Sequence, residues 1–286
     1  MKILIFGNEY QQHFAESIRE MIAVLREYGA SLEMEESFYA YLSHELGIGL
    51  DGVDCRNVDD MWGDVALSIG GDGTFLRTAR MVATKEIPIL GINAGHLGYL
   101  AEAHMGEISQ VASNLFNKQY KIGRRTMLEM SNNCGIRMDN TLALNDIAVM
   151  RQDSSTMLSV RAWVNGADLT TYRGDGLVIS TPTGSTAYNL SVGGPILEPT
   201  SRNWVLSPIS AHSLTLRPLV LRDDSVIELE TTSRAPQYLV SLDGKAHSFP
   251  SGSSITVKKA GVYVKVIQPL NHNFADTLRT KLMWGQ

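Results

Sequence analysis

Apolar residues follow two different patterns along the chain, and the change between them lies near residue 120. In the first part, short apolar runs at 3–6, 65–69 and 87–92 alternate with segments of helical spacing at 14–25 and 75–82. A short apolar run predicts a buried strand, whereas apolar positions at i, i+4 and i+7 predict an amphipathic helix. The alternation therefore predicts βα units around a parallel sheet.

From about residue 121, apolar positions alternate singly with polar ones, as in 160–164, 227–230 and 262–266. This period of two indicates strands with one buried face, which are typical of antiparallel sheets. The closing segment 274–283 has helical spacing again.

We therefore expect an α+β protein of two domains. The first, at 1–120, is an α/β domain with a parallel sheet, and the second, at 121–270, is a mainly antiparallel, sandwich-like β domain. The tail at 271–286 could return to either domain.

The run Gly70-Gly71-Asp72-Gly73-Thr74 stands between the predicted strand 65–69 and the predicted helix 75–82. Glycines let phosphate oxygens approach the main chain, and a helix N-terminus adds partial positive charge. A carboxylate among phosphates is repelled by them, so Asp72 predicts metal binding or acceptance of a proton from an attacking hydroxyl. The alternative is a tight turn in which Asp72 caps the helix and the glycines supply positive φ. An Asp between paired glycines after a buried strand favours the phosphate site.

Another glycine motif, Gly47-Ile48-Gly49-Leu50-Asp51-Gly52, matches the G-x-G-x-x-G fingerprint. That fingerprint requires a strand before it and a helix after it. Here a helix-like segment precedes it and no helix follows, which predicts a flexible loop. The P-loop pattern G-x-x-x-x-G-K-[ST] does not occur in the sequence.

Two further segments carry polar side chains next to apolar strands. Residues 175–195 run from Asp175 through a buried strand into small hydroxyl residues, which suits a planar polar ligand on which Tyr188 could stack. Asn145-Asp146 interrupts the apolar run 144–149, and this pair offers the donor and acceptors that match a ribose diol. Each segment has an ordinary alternative, a Ser/Thr-rich loop for the first and a turn between strands for the second.

The composition narrows the class of protein. With 44% hydrophobic and 19% charged residues and a net charge of −5, the chain is typical of a soluble globular protein without a broad surface for nucleic acid or anionic membrane. The N-terminal apolar run is too short for a signal peptide, and no stretch approaches the ~20 apolar residues of a membrane span. Cys55 and Cys134 stand alone, which favours free thiols. We therefore expect a cytoplasmic protein.

These motifs resemble those of the NAD kinases. The resemblance is carried by residues 70–74, 91–100 and 174–196 and by the Asn145-Asp146 pair, it extends to the tail 277–284, and it spans most of the chain. The glycine–Asp–glycine element alone is shared with diacylglycerol and sphingosine kinases and, loosely, with phosphofructokinases. The Asn-Asp pair and the run 183–191 narrow it to the NAD kinases.

The resemblance implies transfer of the γ-phosphoryl group of ATP, or of polyphosphate in its place, to the 2′-hydroxyl of the adenosine ribose of NAD, giving NADP. It implies Asp72 as the catalytic proton acceptor and Mg²⁺ brought by the nucleotide as the cofactor, with no metal cage built by the protein alone. The implied binding residues are Gly70, Gly71, Asp72, Gly73, Thr74, Arg77, Asn145, Asp146, Arg173, Asp175, Thr183, Thr186, Ala187, Tyr188, Asn189, Leu190, Ser191 and Lys245.

By the same resemblance, 1–120 is the nucleotide-binding domain and 121–270 is the NAD-binding domain, with the site in the crevice between them. We also expect a homodimer or homotetramer, with Arg173, Asp175 and the 186–191 segment partly serving a neighbouring subunit. His96 is interpreted as a variable loop residue near that site. One alternative is a lipid or sphingoid-base kinase, which would need an apolar groove or a basic amphipathic helix that 107–120 and 274–283 do not provide. Another is a nucleotide-binding regulator without activity.

Overall fold

The computed structural model describes residues 1–9, 12–95, 98–153 and 156–285, so His96 lies outside the described residues. The chain divides into two compact units. The first unit comprises Met1–Arg124 and Val264–Gln286, and the second unit comprises Arg125–Tyr263.

The described helices are α1 (Ala15–Glu27), α2 (Glu36–Ala40), α3 (Asp72–Val82), α4 (Ile108–Phe116), α5 (Tyr188–Ser191) and α6 (Phe274–Leu282), with a π-helical turn at Tyr41–Glu45 and short 3₁₀ turns elsewhere. The strands are β1 (Lys2–Phe6), β2 (Ser31–Glu35), β3 (Val53–Arg56), β4 (Val65–Ile69), β5 (Ile89–Asn93), β6 (Ala103–His104), β7 (Tyr120–Asn132), β8 (Leu142–Ala143), β9 (Asp146–Arg151), β10 (Leu158–Val164), β11 (Ala167–Gly174), β12 (Gly176–Ser180), β13 (Asn203–Ile209), β14 (Leu219–Arg222), β15 (Ile227–Thr232), β16 (Gln237–Leu242), β17 (Lys245–Pro250) and β18 (Ser254–Pro269).

The first unit is built on a parallel sheet in the order β5-β4-β1-β2-β3, and Val266 of β18 pairs with β5, also in parallel. All of β4 is buried because helices cover both of its faces. Leu67 belongs to the core cluster that contains residues of α1 and α4, whereas Ser68, on the opposite face, meets Thr78 of α3 at 3.1 Å. The predicted α/β arrangement is confirmed.

The second unit is mainly antiparallel. One sheet has the order β14-β13-β12-β9-β16-β17, and in the other β10 pairs with β11 and β15 while β15 pairs with β18. Its core cluster takes residues from both groups of strands, including Ile147 and Trp204 from the first and Val160 and Leu229 from the second. Two sheets that share one core form a sandwich, which confirms the prediction for this part of the chain.

Local elements also follow the sequence pattern. The spacing at 14–25 and 274–283 gives helices α1 and α6. The strand predicted at 87–92 begins only at Ile89, because the preceding residue is Pro88 and proline has no N–H for the ladder. Residues 47–52 form the predicted loop, with positive φ at Gly47 and Gly52. Of the helices that the structure describes, none combines the length and the apolar character that crossing a membrane requires.

Candidate active site

The glycine loop joins β4 to the N-terminus of α3. Gly70 has a φ of 142°, and its N–H donates to the carbonyl of Ile92 in β5 at 3.0 Å. Gly71 precedes the helix, and its carbonyl accepts the N–H groups of Thr74 and Phe75, each at 3.1 Å. A Cβ added at Gly71 or Gly73 would meet no described atom within 4 Å, so the main chain is open there. Open backbone at a helix N-terminus is suited to binding a phosphate group.

Asp72 is the first residue of α3, and its carboxylate is held by the segment that follows β5. Oδ2 accepts the N–H of Tyr99 and Oδ1 accepts the N–H of Leu100, both at 2.9 Å. A carboxylate has about four lone-pair positions, so each oxygen can still accept another hydrogen or a proton. The partners lie 27 and 28 residues away, and Gly71 occupies the N-cap position, so Asp72 is not a helix cap as the alternative required.

Gly98 has no room for a side chain, because a Cβ there would lie 2.3 Å from Oδ1 of Asp72. We expect Gly98→Ala to displace the carboxylate and to lower kcat of the predicted phosphoryl transfer about 100-fold, since a shift of about 1 Å can cost that much. Steady-state kinetics of the purified variant would measure this. Gly106→Ala is the matched control, because a Cβ at Gly106 meets no described atom within 4 Å. Equal activities of the two variants would contradict the expectation.

Arg77 lies just over one turn after the loop, and its guanidinium pairs with the end of β2. Nη2 is 2.8 Å from Oε2 of Glu35 and 3.1 Å from Oγ of Ser37. Glu35 also caps α2 by accepting the N–H of Phe38 at 3.2 Å. A guanidinium has five N–H donors, so this pairing leaves donors for an anionic ligand. The predicted contact of Arg77 with NAD stays a prediction.

In the second unit, the Asn145-Asp146 pair is fixed by Asp243. The Asp243 carboxylate accepts three consecutive backbone N–H groups, those of Leu144 at 2.9 Å, Asn145 at 2.7 Å and Asp146 at 3.2 Å. Asp243 and Gly244 have φ values of 48° and 84° in the hairpin turn between β16 and β17. This is the Asp-Gly turn that tight hairpins favour, and it brings the carboxylate to the start of β9.

Asp146 is buried, with 6% of its surface exposed. Burial and, as the smaller cause, the negative charge of Asp243 together raise the pKa of its carboxyl to about 7. Near neutral pH this group therefore exists in both protonation states. It can donate or accept a hydrogen bond, depending on what is bound beside it.

The segment after β12 packs closely on the backbone of Leu144 and Asn145. Thr181 donates its N–H to the carbonyl of Asn145 at 2.9 Å and its hydroxyl to that of Leu144 at 2.6 Å. A Cβ at Gly184 would lie 2.0 Å from the Asn145 carbonyl oxygen, so only glycine fits. Oδ1 of Asn145 and Oγ1 of Thr183 are buried without a hydrogen-bond partner among the described residues. Buried polar atoms are rarely left unpaired, so these two indicate a place for a polar ligand.

Tyr188 and Asn189 lie on the short helix α5 and differ in their surroundings. The Tyr188 ring is exposed, and burial of its hydroxyl, with the charges of Asp146 and Asp175, raises the pKa of the phenol. Asn189 is fully buried, and its amide donates to the carbonyls of Ser185 and Pro195, both at 3.0 Å, and accepts from Ser207 at 2.6 Å. The Asn189 side chain therefore holds the segment together.

The other predicted binding residues of the second unit lie closer to its surface. Asp175 is paired with Arg151 at 3.1 Å, and Lys245 is 3.5 Å from Asp139. Thr186 and Ala187 are half-buried, and Arg173, Leu190 and Ser191 are exposed. The structure thus places residues 70–77 in the first unit and the remaining predicted residues in the second.

Several residues of these sites were not predicted from the sequence. Asp243, Thr181 and the amides of Tyr99 and Leu100 act through contacts with residues distant in sequence. The Asp-Gly dipeptide at 243–244 is a hairpin signal that could have located the turn. No group of three or more His, Cys, Asp or Glu side chains in the described part of the chain is arranged to hold a metal ion.

Comparison with known proteins agrees with this geometry. Residues 3–120 match the family model described as the ATP-NAD kinase N-terminal domain, and residues 144–268 match that of the ATP-NAD kinase C-terminal domain. Together the two models cover most of the chain, and both describe kinases. The chain belongs to the NAD kinase family. The resemblance and the kinase class predicted from the sequence are confirmed.

Relatives cover the whole chain. It is 41% identical over 285 residues to an NAD kinase of Bacteroides fragilis, with 100% of this chain and 98% of that protein aligned. An NAD kinase of Porphyromonas gingivalis is 41% identical over 286 residues, with 99% and 98% aligned. An NAD kinase of Flavobacterium psychrophilum is 38% identical over 292 residues, with 100% and 99% aligned. These comparisons do not favour the lipid-kinase alternative.

Solved structures share the fold. The crystal structure of yeast NADH kinase complexed with NADH superposes with a TM-score of 0.90 at 24% identity, covering 100% of this chain and 88% of that one. The NAD kinase from Archaeoglobus fulgidus in complex with ATP gives 0.75 at 23% identity, covering 98% and 99%.

Proposed function

We propose that this protein transfers the γ-phosphoryl group of ATP to the 2′-hydroxyl of the adenosine ribose of NAD, forming NADP and ADP. The observation that carries this proposal is the Asp72 carboxylate, held by two backbone amides at the helix N-terminus that follows an open glycine loop. The names of the relatives and the NADH and ATP of the solved structures support the same substrates.

In the proposed reaction the 2′-oxygen attacks the γ-phosphorus while its proton passes to a carboxylate oxygen of Asp72. The bond from the γ-phosphorus to the bridging oxygen breaks, and ADP leaves. The main chain at Gly71 and Gly73 is open for phosphate oxygens, and the helix N-terminus favours their charge. Positioning and electrostatics supply most of the catalysis in such a transfer.

Recognition of NAD is assigned to the second unit. The unpaired oxygens of Asn145 and Thr183 would accept hydrogens from a ribose hydroxyl or an adenine amino group. Asp146, with its pKa of about 7, would accept from the same ligand once ionised. The exposed ring of Tyr188 would stack on a base. Arg77, Arg173, Asp175, Lys245 and the 186–191 segment complete the proposed binding residues.

The Asp72 carboxylate beside the open glycine loop offers oxygen atoms, the ligand type by which proteins hold Mg²⁺ together with substrate phosphates. We propose that Mg²⁺ arrives with ATP, where it offsets the charge of the triphosphate. A cytoplasmic location is proposed from the composition and from the two lone cysteines. A homodimer or homotetramer, in which Arg173, Asp175 and the 186–191 segment also serve a neighbouring subunit, is proposed from the family resemblance. Light scattering of the purified chain would measure the subunit number.

The test is NADP formation by the purified protein, followed with an NADP-specific dehydrogenase. We expect turnover with NAD, ATP and Mg²⁺ and its loss when a chelator removes the metal. Polyphosphate in place of ATP tests the second donor, and diacylglycerol or sphingosine in place of NAD tests the lipid alternative. Binding of NAD and ATP without turnover would instead indicate a nucleotide-binding regulator and overturn the proposal.

A further inference from the structure

The C-terminal helix α6 places a lysine against the segment that holds Asp72. Nζ of Lys281 donates to the carbonyl of Tyr99 at 2.9 Å and to the carbonyl of Ala101 at 2.5 Å. Its Nζ also lies 5.9 Å from the centre of the Tyr99 ring. Lys281 is half-buried, so these contacts hold much of the side chain inside the first unit.

One of these carbonyls belongs to the same peptide group that binds Asp72. The carbonyl of Tyr99 and the N–H of Leu100 are the two ends of one amide. Lys281 donates to the oxygen of this amide, and the N–H of the same amide, which belongs to Leu100, donates to Oδ1 of Asp72 at 2.9 Å. A cation at the oxygen of an amide draws electron density from the nitrogen and strengthens the N–H as a donor. The arrangement connects the ammonium group to the carboxylate through one peptide bond.

The charges around Lys281 agree with this connection. Burial lowers the pKa of its ammonium group, while the negative charges of Glu102 and Asp72 raise it. Glu102 itself accepts from Gln268 at 3.1 Å and lies 3.4 Å from His272. The direct hydrogen bonds of Lys281 go to the backbone carbonyls of Tyr99 and Ala101, while Glu102 acts on it through charge.

We infer that Lys281 is a positioning residue for the phosphoryl transfer, and that it acts on Asp72 through the peptide group between Tyr99 and Leu100. This inference rests on the proposed role of Asp72 as the proton acceptor. Lys281 touches neither substrate nor the reacting atoms. Its effect is to fix the orientation of the Asp72 carboxylate and to strengthen one of the two hydrogen bonds that hold it.

The experiment compares Lys281→Met, which removes the charge and both hydrogen bonds, with Lys281→Arg, which keeps the charge and the donors. We expect Lys281→Met to lower kcat about tenfold, because the transition state loses about the stabilisation that one hydrogen bond provides. KM for ATP and NAD should be nearly unchanged. Lys281→Arg should restore most of kcat. Lys281→Gln, which keeps a donor without the charge, should lie between them and serves if Lys281→Met does not fold.

The matched control is Arg279→Met on the same helix, because Arg279 is exposed and pairs with Asp276 rather than with the loop. It should leave kcat unchanged. A residue that only tethers the tail would give a lower melting temperature and higher KM values without a selective loss of kcat, and that result would overturn the inference.

Asp72→Asn, measured in parallel, separates two kinds of failure. If Asp72→Asn is inactive while Lys281→Met keeps full kcat, only the inference about Lys281 is wrong. If Asp72→Asn keeps full kcat, the proposed role of Asp72 is wrong and the inference is overturned with it.

Discussion

Asp72→Asn is expected to lower kcat for NADP formation about 1,000-fold, within the range that general-base catalysis supplies. An amide at this position cannot take the proton of the 2′-hydroxyl. Affinities for ATP and NAD should change by less than about fivefold, because the glycine loop and the second-unit residues remain. Steady-state kinetics would measure kcat, and calorimetric titration would measure both affinities.

Loss of the hydrogen bonds of Asp72 should also lower the folding stability of this variant. Both oxygens accept backbone N–H groups, whereas an Asn side chain offers one acceptor and an NH₂ group that would face a donor. A donor left without a partner costs about 1–3 kcal/mol. Asp64→Asn is the matched control for the chemical change, since Asp64 accepts the N–H of Lys2 at 2.7 Å in the same unit. Full activity of Asp72→Asn would remove its proposed role, and similar losses in both variants would assign the effect to folding.

Asp146→Asn is expected to stabilise the protein at alkaline pH, although Asp146 belongs to the proposed NAD site. The pKa of Asp146 is raised from an ordinary value of 3.8 to about 7. A carboxyl with a raised pKa holds its proton more tightly in the folded state, so stability is greatest below about pH 4 and is lost as pH rises through 7. A rise of this size corresponds to about 4 kcal/mol.

Asn cannot ionise, and burying its amide costs about 1 kcal/mol. The free energy of unfolding should therefore rise by about 3 kcal/mol at pH 8.5 and show no gain near pH 4, while the affinity for NAD falls. Urea unfolding of the whole chain at both pH values would measure this. Asp139→Asn is the control, because that side chain is 93% exposed. A stability difference between Asp146→Asn and the wild type that does not depend on pH would contradict the assignment.

The stability that the protein loses when Asp146 ionises is consistent with a role of Asp146 in ligand binding. Asp243, whose charge adds to the cost of ionising Asp146, also holds the start of β9 through three backbone N–H groups. Sites that bind ligands commonly keep groups that destabilise the free protein. The unpaired oxygens of Asn145 and Thr183 belong to the same pattern.

Local patterns in the sequence were sufficient to predict the fold class, the glycine loop and the two polar segments that are candidate ligand sites. Strand β4 and the loop after it are contiguous, so a single stretch of sequence contains both the glycines and Asp72. Rejecting the second glycine motif at 47–52 was also a local argument, since no helix follows it.

The partners that fix these residues could not be predicted in the same way. Asp243 is almost 100 residues from the amides that it accepts, and Lys281 is about 180 residues from the carbonyls that it contacts. Nothing in local spacing reports such pairings. The ion pair between Arg77 and Glu35 could not be predicted from local spacing either, because it depends on where β2 ends relative to α3.

The division of the first unit between the two ends of the chain determines when it can be completed during synthesis. Its sheet includes Val266 beside Ile89, and Lys281 supports the segment that holds Asp72. The intervening second unit is continuous in sequence, so its whole chain is synthesised before the residues that complete the first unit. A nascent chain therefore carries its glycine loop early, but it gains the full support of Asp72 only after α6 has emerged.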